Sequence, residues 1–327
     1  MNYFLALDIG GTKISAAVFT EDGQIFEDDL IVLPTPAFTG NDSIYNAVAK
    51  AADMALTKRK AYPLLSGIGA ASPGPLDTTT GTIIHAPLMG WENFHLAERL
   101  EADFHCPVML DNDCNLGALA EQRVGVAKGK DSVFYVTMST GVGGGFVLNG
   151  EIFHGFRDSS CEVGHMNIVD GGPDCPCGGK GCLELYASGT GLADRVRRKL
   201  INDPHTQTKI WELVRRQPDK ITAKIITQAA LDGDEYALSE LAEVGRYMGI
   251  GLNNIVNLFD PEVIVIGGGF SKAHGLFEEN MFKTMTDRAM QPYDPRKLIR
   301  YSVLCDKAVI WGAYLLISEN KNIGRQQ

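Results

Sequence analysis

Apolar runs and their spacing divide the chain into predicted elements. Residues 3–8, 14–19 and 24–34 read as strands, the last entered through an Asp22-Gly23 turn. Residues 43–58 place Ile44, Ala47, Ala51, Met54 and Ala55 on one helical face. Runs of strand length follow at 65–71 and 108–110, and 116–123 predicts a helix with Asn115 or Asp113 as its N-cap. Two more strands are expected at 132–138 and 146–148. Helical spacing then marks 186–200, 210–216, 221–230 and 235–258, with Asp260-Pro261 stopping the last. The run VIVI at 263–266 predicts a buried strand. A helix at 277–290, a strand at 299–304 and a helix at 308–319 complete the pattern, and Gly312 and Ala313 in that last helix permit close packing.

The length of 327 residues suits two domains, each able to bury a core. A hydrophobic share of 45% and a charged share of 21% are ordinary for a globular chain. The net charge of −10 argues against a nucleic-acid partner. The start, MNYFLALDIGG, lacks the basic flank of a secretory signal, and no apolar run approaches the roughly 20 residues of a membrane span. Cys106, Cys114, Cys161 and Cys305 are scattered. A cytoplasmic protein with no membrane partner is the expectation.

Polar motifs sit at the strand ends. In DIGGTK, Gly10 and Gly11 allow a tight turn whose N–H groups can face an anion. Thr12 adds a hydroxyl, Lys13 a cation and Asp8 a carboxylate for a magnesium shell, although a plain hairpin turn would use the same residues. STGVGGG at 139–145 repeats the design between its own two strands, with Thr140, Gly141, Gly143 and Gly144, which suggests two similar halves facing each other. SPGPLD at 72–77 is a rigid strand-end loop, with Gly74 between two prolines. Trp91 beyond it is read as packing. In DNDCN, Asn112 and Asp113 either cap the helix or line a cleft, where the carboxylate could take a proton from a hydroxyl. Gly267, Gly268 and Gly269 end the VIVI strand and let backbone approach a ligand. Neither a Walker loop nor a Rossmann fingerprint is present.

The densest chemistry lies in EVGHMNIVDGGPDCPCGGKGCLE, residues 162–184. His165, Cys175, Cys177 and Cys182 are the ligand types of a closed tetrahedral zinc site. The alternative is a disulfide or plain buried thiols, but the single residue between Cys175 and Cys177 would strain a bond joining them. Zinc would fix the His165 ring and aim its second nitrogen outward. Glu162 and Glu184 bracket the cluster and are left for another ligand.

The succession of these motifs resembles the ROK family of bacterial sugar kinases and repressors, in the actin-like ATPase superfamily. EVGH followed by CPCGGKGCLE is its most specific part. The resemblance implies an α/β, actin-like (ribonuclease H-like) fold with two domains around a central cleft. Residues 1–112 would form the smaller domain, joined by a helix at about 308–327, and residues 113–307 the larger. By the same resemblance, residues 8–13 and 140–144 are the phosphate turns, with Asp8 near Mg2+ of ATP. Gly267–Gly269 form the adenosine segment. Asn112, Glu162, His165 and Glu184, with Gly74 from the proline-flanked loop, bind the sugar, and Asp113 is the catalytic base. His165, Cys175, Cys177 and Cys182 hold structural zinc. A glucokinase-like enzyme phosphorylating a hexose with ATP is expected, with N-acetylmannosamine, N-acetylglucosamine or fructose as alternative substrates and a sugar-sensing regulator as the non-enzymatic alternative. ROK repressors carry a DNA-binding segment ahead of the first turn, and this sequence starts at the first strand. A homodimer is the expected assembly.

Overall fold

A computed structural model of the protein describes residues 2–25, 30–36, 40–86 and 89–320. The chain begins with β1 (Tyr3–Ile9), β2 (Lys13–Thr20), β3 (Ile31–Pro34) and α1 (Asn41–Arg59). Next come β4 (Leu65–Ser72), β5 (Leu76–Asp77), β6 (Thr82–Ala86), β7 (Trp91–Phe94), α2 (Leu96–Phe104), β8 (Val108–Asn112) and α3 (Asp113–Arg123). Strands β9 (Ser132–Met138), β10 (Val142–Leu148) and β11 (Glu151–Ile152) follow. Then come helices α4 (Glu184–Ala187), α5 (Gly189–Asn202), α6 (Lys209–Leu213), α7 (Ala223–Leu231) and α8 (Glu235–Phe259). The chain closes with β12 (Val263–Gly267), α9 (Glu278–Arg288), α10 (Pro295–Leu298), β13 (Ile299–Tyr301) and α11 (Ala308–Ser318). Residues 26–29 of the expected third strand and 321–327 of the expected terminal helix lie outside the described residues.

The chain divides into two compact units. One is drawn from segments 1–129, 145–160 and 306–327, the other from 130–144 and 161–305. Helix α3 and residues 145–160 thus group with the first unit; the boundary implied by the family resemblance is at residue 112.

In the first unit the sheet runs β3-β2-β1-β4-β8. β1 is antiparallel to β2 and parallel to β4, and β4 is parallel to β8. β1 is buried along most of its length because α1 covers it with Ile44, Val48, Ala52, Ala55 and Leu56, all fully buried. Asp42 in the first turn of α1 and Lys58 and Arg59 in its last complement the helix dipole. α11 packs on β1, β4 and α3. The approach is to backbone contact: a Cβ on Gly69 would stand 1.8 Å from the Ala313 carbonyl oxygen, and one on Gly312 2.0 Å from that of Leu116. Gly312 therefore serves the packing role expected of it. Trp91 is fully buried and stacks on Phe94 with centroids 4.5 Å apart, so it belongs to this core.

The second sheet runs β11-β10-β9-β12-β13, the same order as the first when each set is counted from its own start. β10 passes from the second unit into the first at Gly145. β12, buried throughout, is parallel to β9 and β13. The expected helix at 186–200 is two helices, because Ser188 turns extended and caps α5 through the Gly191 N–H. The strand expected at 299–304 is shorter, since a turn at Ser302 binds the Cys305 N–H and ends β13. Glu240 on α8 is 3% exposed and is held by Arg195 at 3.0 Å and Lys199 at 2.6 Å, both on α5. A buried carboxylate without such partners would be strongly destabilising.

Candidate functional site

The parallel strands of the first unit bring acidic residues to their carboxyl ends, where open α/β sheets carry ligands. Asp8 on β1 pairs in register with Ala71 on β4, and Ala71 with Asp111 on β8. The next row sets Ser72 beside Asn112. Asn112, rather than Asn115 or Asp113, is the N-cap of α3. Its extended backbone turns the side-chain oxygen onto the Cys114 N–H at 2.8 Å and the Asn115 N–H at 3.4 Å. The helix therefore begins at Asp113, three residues before the expected start. The Asn115 side chain instead donates to Asp111 at 2.9 Å. Gly74 lies against Asn112, since a Cβ there would be 3.6 Å from Asn112 Nδ2.

Asp113 accepts the Cys114 N–H at 2.9 Å. Burial pushes its carboxyl above the ordinary carboxylate range, and that N–H opposes the shift. Burial also pushes Asp8 up to about 7; the Asp113 charge adds to this and Lys13 counters it. A carboxyl whose charge is opposed by burial and by a neighbouring carboxylate gains from a cation. The DIGGTK turn is closed by the Gly10 N–H on the Lys13 carbonyl at 2.9 Å.

Asp111, 1% exposed, supports this corner; it opens the DNDCN motif, but the sequence alone gives it no role. It accepts from His154 Nε2 at 2.7 Å, from Asn115 and from the Asn112 N–H at 2.7 Å. The same loop is tied by Asp158, which accepts the Thr78 N–H at 2.9 Å. The Asp111 hydrogen bond holds the His154 imidazole above its ordinary value of 6.5; burial opposes this, and the Asp111 and Asp158 charges reinforce it. A histidine raised in the folded state contributes stability that is fully present below about pH 6.5 and is lost as pH rises through its elevated pKa. His154→Gln should therefore lower the thermal midpoint more at about pH 6 than at about pH 9. Equal losses at both values would show that the imidazolium contributes nothing.

In the second unit, the His165, Cys175, Cys177 and Cys182 ligand atoms lie within 4.8 Å of one another. Cys177 and Cys182 Sγ are 3.7 Å apart, and Cys175 Sγ is 3.7 Å from His165 Nδ1. A disulfide requires about 2.05 Å. Tetrahedral zinc, with bonds of about 2.3 Å to sulfur and 2.05 Å to nitrogen, sets edges of about 3.8 Å and 3.6 Å. The donor set therefore fits zinc. Because Nδ1 faces the cluster, Nε2 of the exposed His165 is the nitrogen left for another ligand. The loop is pinned by the Cys175 N–H on Gly179 O at 2.8 Å and by the Gly178 N–H on Cys175 O at 2.9 Å, with Gly178 at φ 90°.

The 139–144 turn packs on the segments that flank this loop. A Cβ on Gly164 would stand 1.9 Å from Val142 O, and one on Gly144 2.7 Å from Cys161 O. Glu184 Oε2 accepts the Val142 N–H at 3.0 Å. Glu162 is exposed and Glu184 half-buried. At the end of β12 the three glycines differ. A Cβ on Gly267 would meet the Tyr135 hydroxyl at 2.2 Å and one on Gly268 the Met138 carbonyl at 2.4 Å, whereas Gly269 faces open space. A side chain on either of the first two would collide with the protein itself, whereas one on Gly269 would not.

Two α/β units whose sheets share one strand order, each with a glycine turn between its first two strands, constitute the actin-like ATPase fold. The ROK family model matches residues 4–320, and the chain belongs to that family. It is 34% identical to a glucokinase of Halalkalibacterium halodurans over 322 residues, 98% of this chain and 96% of that one. The crystal structure of a ROK family glucokinase from Streptomyces griseus in complex with glucose and AMPPNP matches with a TM-score of 0.82. It is 30% identical, covering 95% of this chain and 98% of that one. A ROK family transcriptional regulator matches with a TM-score of 0.84 at 25% identity, over 97% of this chain and 78% of that one. No helix among the described residues is long and apolar enough to cross a membrane.

Proposed function

We propose that the protein is an ATP-dependent hexose kinase, with glucose as first substrate and its 6-hydroxyl as the acceptor. The observation that carries this is Asp113, a carboxyl raised by burial beside the Asn112 cap, in a chain similar to an enzyme solved with glucose and AMPPNP. A base of raised pKa takes the hydroxyl proton more effectively as attack on the γ-phosphorus proceeds. Asn112, Gly74, Glu162, His165 and Glu184 are assigned to the sugar. The 10–13 and 140–144 turns and Gly267–Gly269 are assigned to the nucleotide. Asp8 is assigned to the magnesium that accompanies ATP, where the cation relieves the cost of its ionisation. Zinc held by His165, Cys175, Cys177 and Cys182 would stiffen the loop that presents His165. A homodimer is proposed on the prevalence of twofold assemblies.

The test is a coupled assay with ATP, magnesium and a panel of glucose, N-acetylmannosamine, N-acetylglucosamine and fructose. Turnover greatest on glucose is expected. Turnover greatest on another sugar would move the substrate, and turnover on none would overturn the enzyme. The match to the transcriptional regulator favours a sugar-sensing protein as the second reading. Such a protein would bind a hexose in this panel and leave it unphosphorylated.

A further inference from the structure

We infer that Glu184 is a positioning residue for the nucleotide, in addition to its place at the sugar. The inference rests on the assignment of residues 140–144 as a phosphate turn. Glu184 is the first residue of α4, two positions beyond the metal-loop residue Cys182. Its Oε2 accepts the Val142 N–H at 3.0 Å, and a Cβ on Gly141 would stand 2.4 Å from that same oxygen. The segment that follows adds two backbone contacts to the same turn. The Gly189 N–H donates to Ser139 O at 2.8 Å and the Thr190 N–H to Thr140 O at 3.3 Å. Ser139, Thr140 and Val142 of the turn are thus held by one short stretch of chain, residues 184–190. Among these three contacts, only the one from Glu184 is made by a side chain.

Two consequences follow from the chemistry. The Val142 N–H is committed to a carboxylate, so phosphate oxygens must be met by other groups of the turn. A hydrogen bond to a charged acceptor is stronger than a neutral one, so its loss should loosen the turn measurably. Gly141 has to lack a side chain to let the carboxylate reach its donor. The second oxygen of Glu184, Oε1, has no protein donor among the described residues, which leaves it for the hexose. One side chain then touches both substrates' sites, with one oxygen for each.

The experiment measures AMPPNP with magnesium by calorimetry in the absence of sugar. Glu184→Ala should weaken nucleotide affinity about tenfold, equivalent to the loss of one charge-assisted hydrogen bond of about 1.4 kcal/mol. Glu184→Gln keeps an acceptor oxygen and should restore affinity to within about threefold of the wild type. Should Glu184→Ala fail to fold, Gly141→Ala serves instead, because its Cβ displaces the carboxylate and should weaken nucleotide binding similarly. Unchanged affinity in Glu184→Ala, or equal loss in the alanine and glutamine variants, overturns the positioning role. No nucleotide binding by the wild type overturns the kinase reading beneath it.

Discussion

Asp113→Asn should keep the fold and hexose affinity while kcat falls roughly 10²- to 10⁴-fold. Asparagine has the shape of aspartate and retains an oxygen to accept the Cys114 N–H, so the start of α3 is preserved. What disappears is a group able to take a proton. Loss of turnover without loss of binding is the signature of an interaction made only in the transition state. The check pairs kcat from the coupled assay with hexose affinity from calorimetry. A variant with near-normal kcat would remove Asp113 from the role of base and leave the hydroxyl to ionise by another route.

Metal removal is the second large effect. The four candidate ligand side chains come from 165 to 182, a stretch with few strands or helices of its own, so under the proposed zinc site their geometry would depend on the ion. Cys177→Ser, or prolonged chelation, should cost about 3 kcal/mol, at the top of the ordinary single-residue range, since loss of a metal is among the causes of large losses. For a unit of this size that lowers the thermal midpoint by roughly 6–12 °C. Hexose affinity should fall in parallel if His165, a member of the cluster, also binds the sugar as proposed. Elemental analysis of freshly purified protein should find close to one zinc per chain. Its absence would refute the metal reading, and a midpoint drop with unchanged hexose affinity would uncouple His165 from the sugar.

Strongly periodic segments are legible in the sequence. β1, α1, α8 and β12 lie close to their expected spans because each buries a face or a whole run against its sheet or helical neighbours. The ligand cluster is legible because four soft or borderline ligands fall within 18 positions, a density that packing alone seldom requires. Helix α2 escapes the pattern although Leu96, Ala97 and Leu100 form its buried face, since nine residues between short strands give a weak period. The break at Ser188 is hidden because the apolar pattern resumes soon after it. The support of the Asn-Asp pair by His154 cannot be read at all. Its partner Asp111 is 43 positions away, and spacing does not encode a contact that only the folded chain creates. The glycines after β12 show the same limit: composition marks the need for a small residue, and only the fold shows whether a ligand or Tyr135 imposes it.

The packing of α11 on β1 and β4 has a consequence for biosynthesis. Some 236 residues separate the end of β4 from the start of α11. At ribosomal rates of about 5–20 residues per second, one side of that sheet waits roughly 10–50 s for its cover. Throughout that interval the nascent chain presents an apolar surface of the kind that holdase chaperones shield.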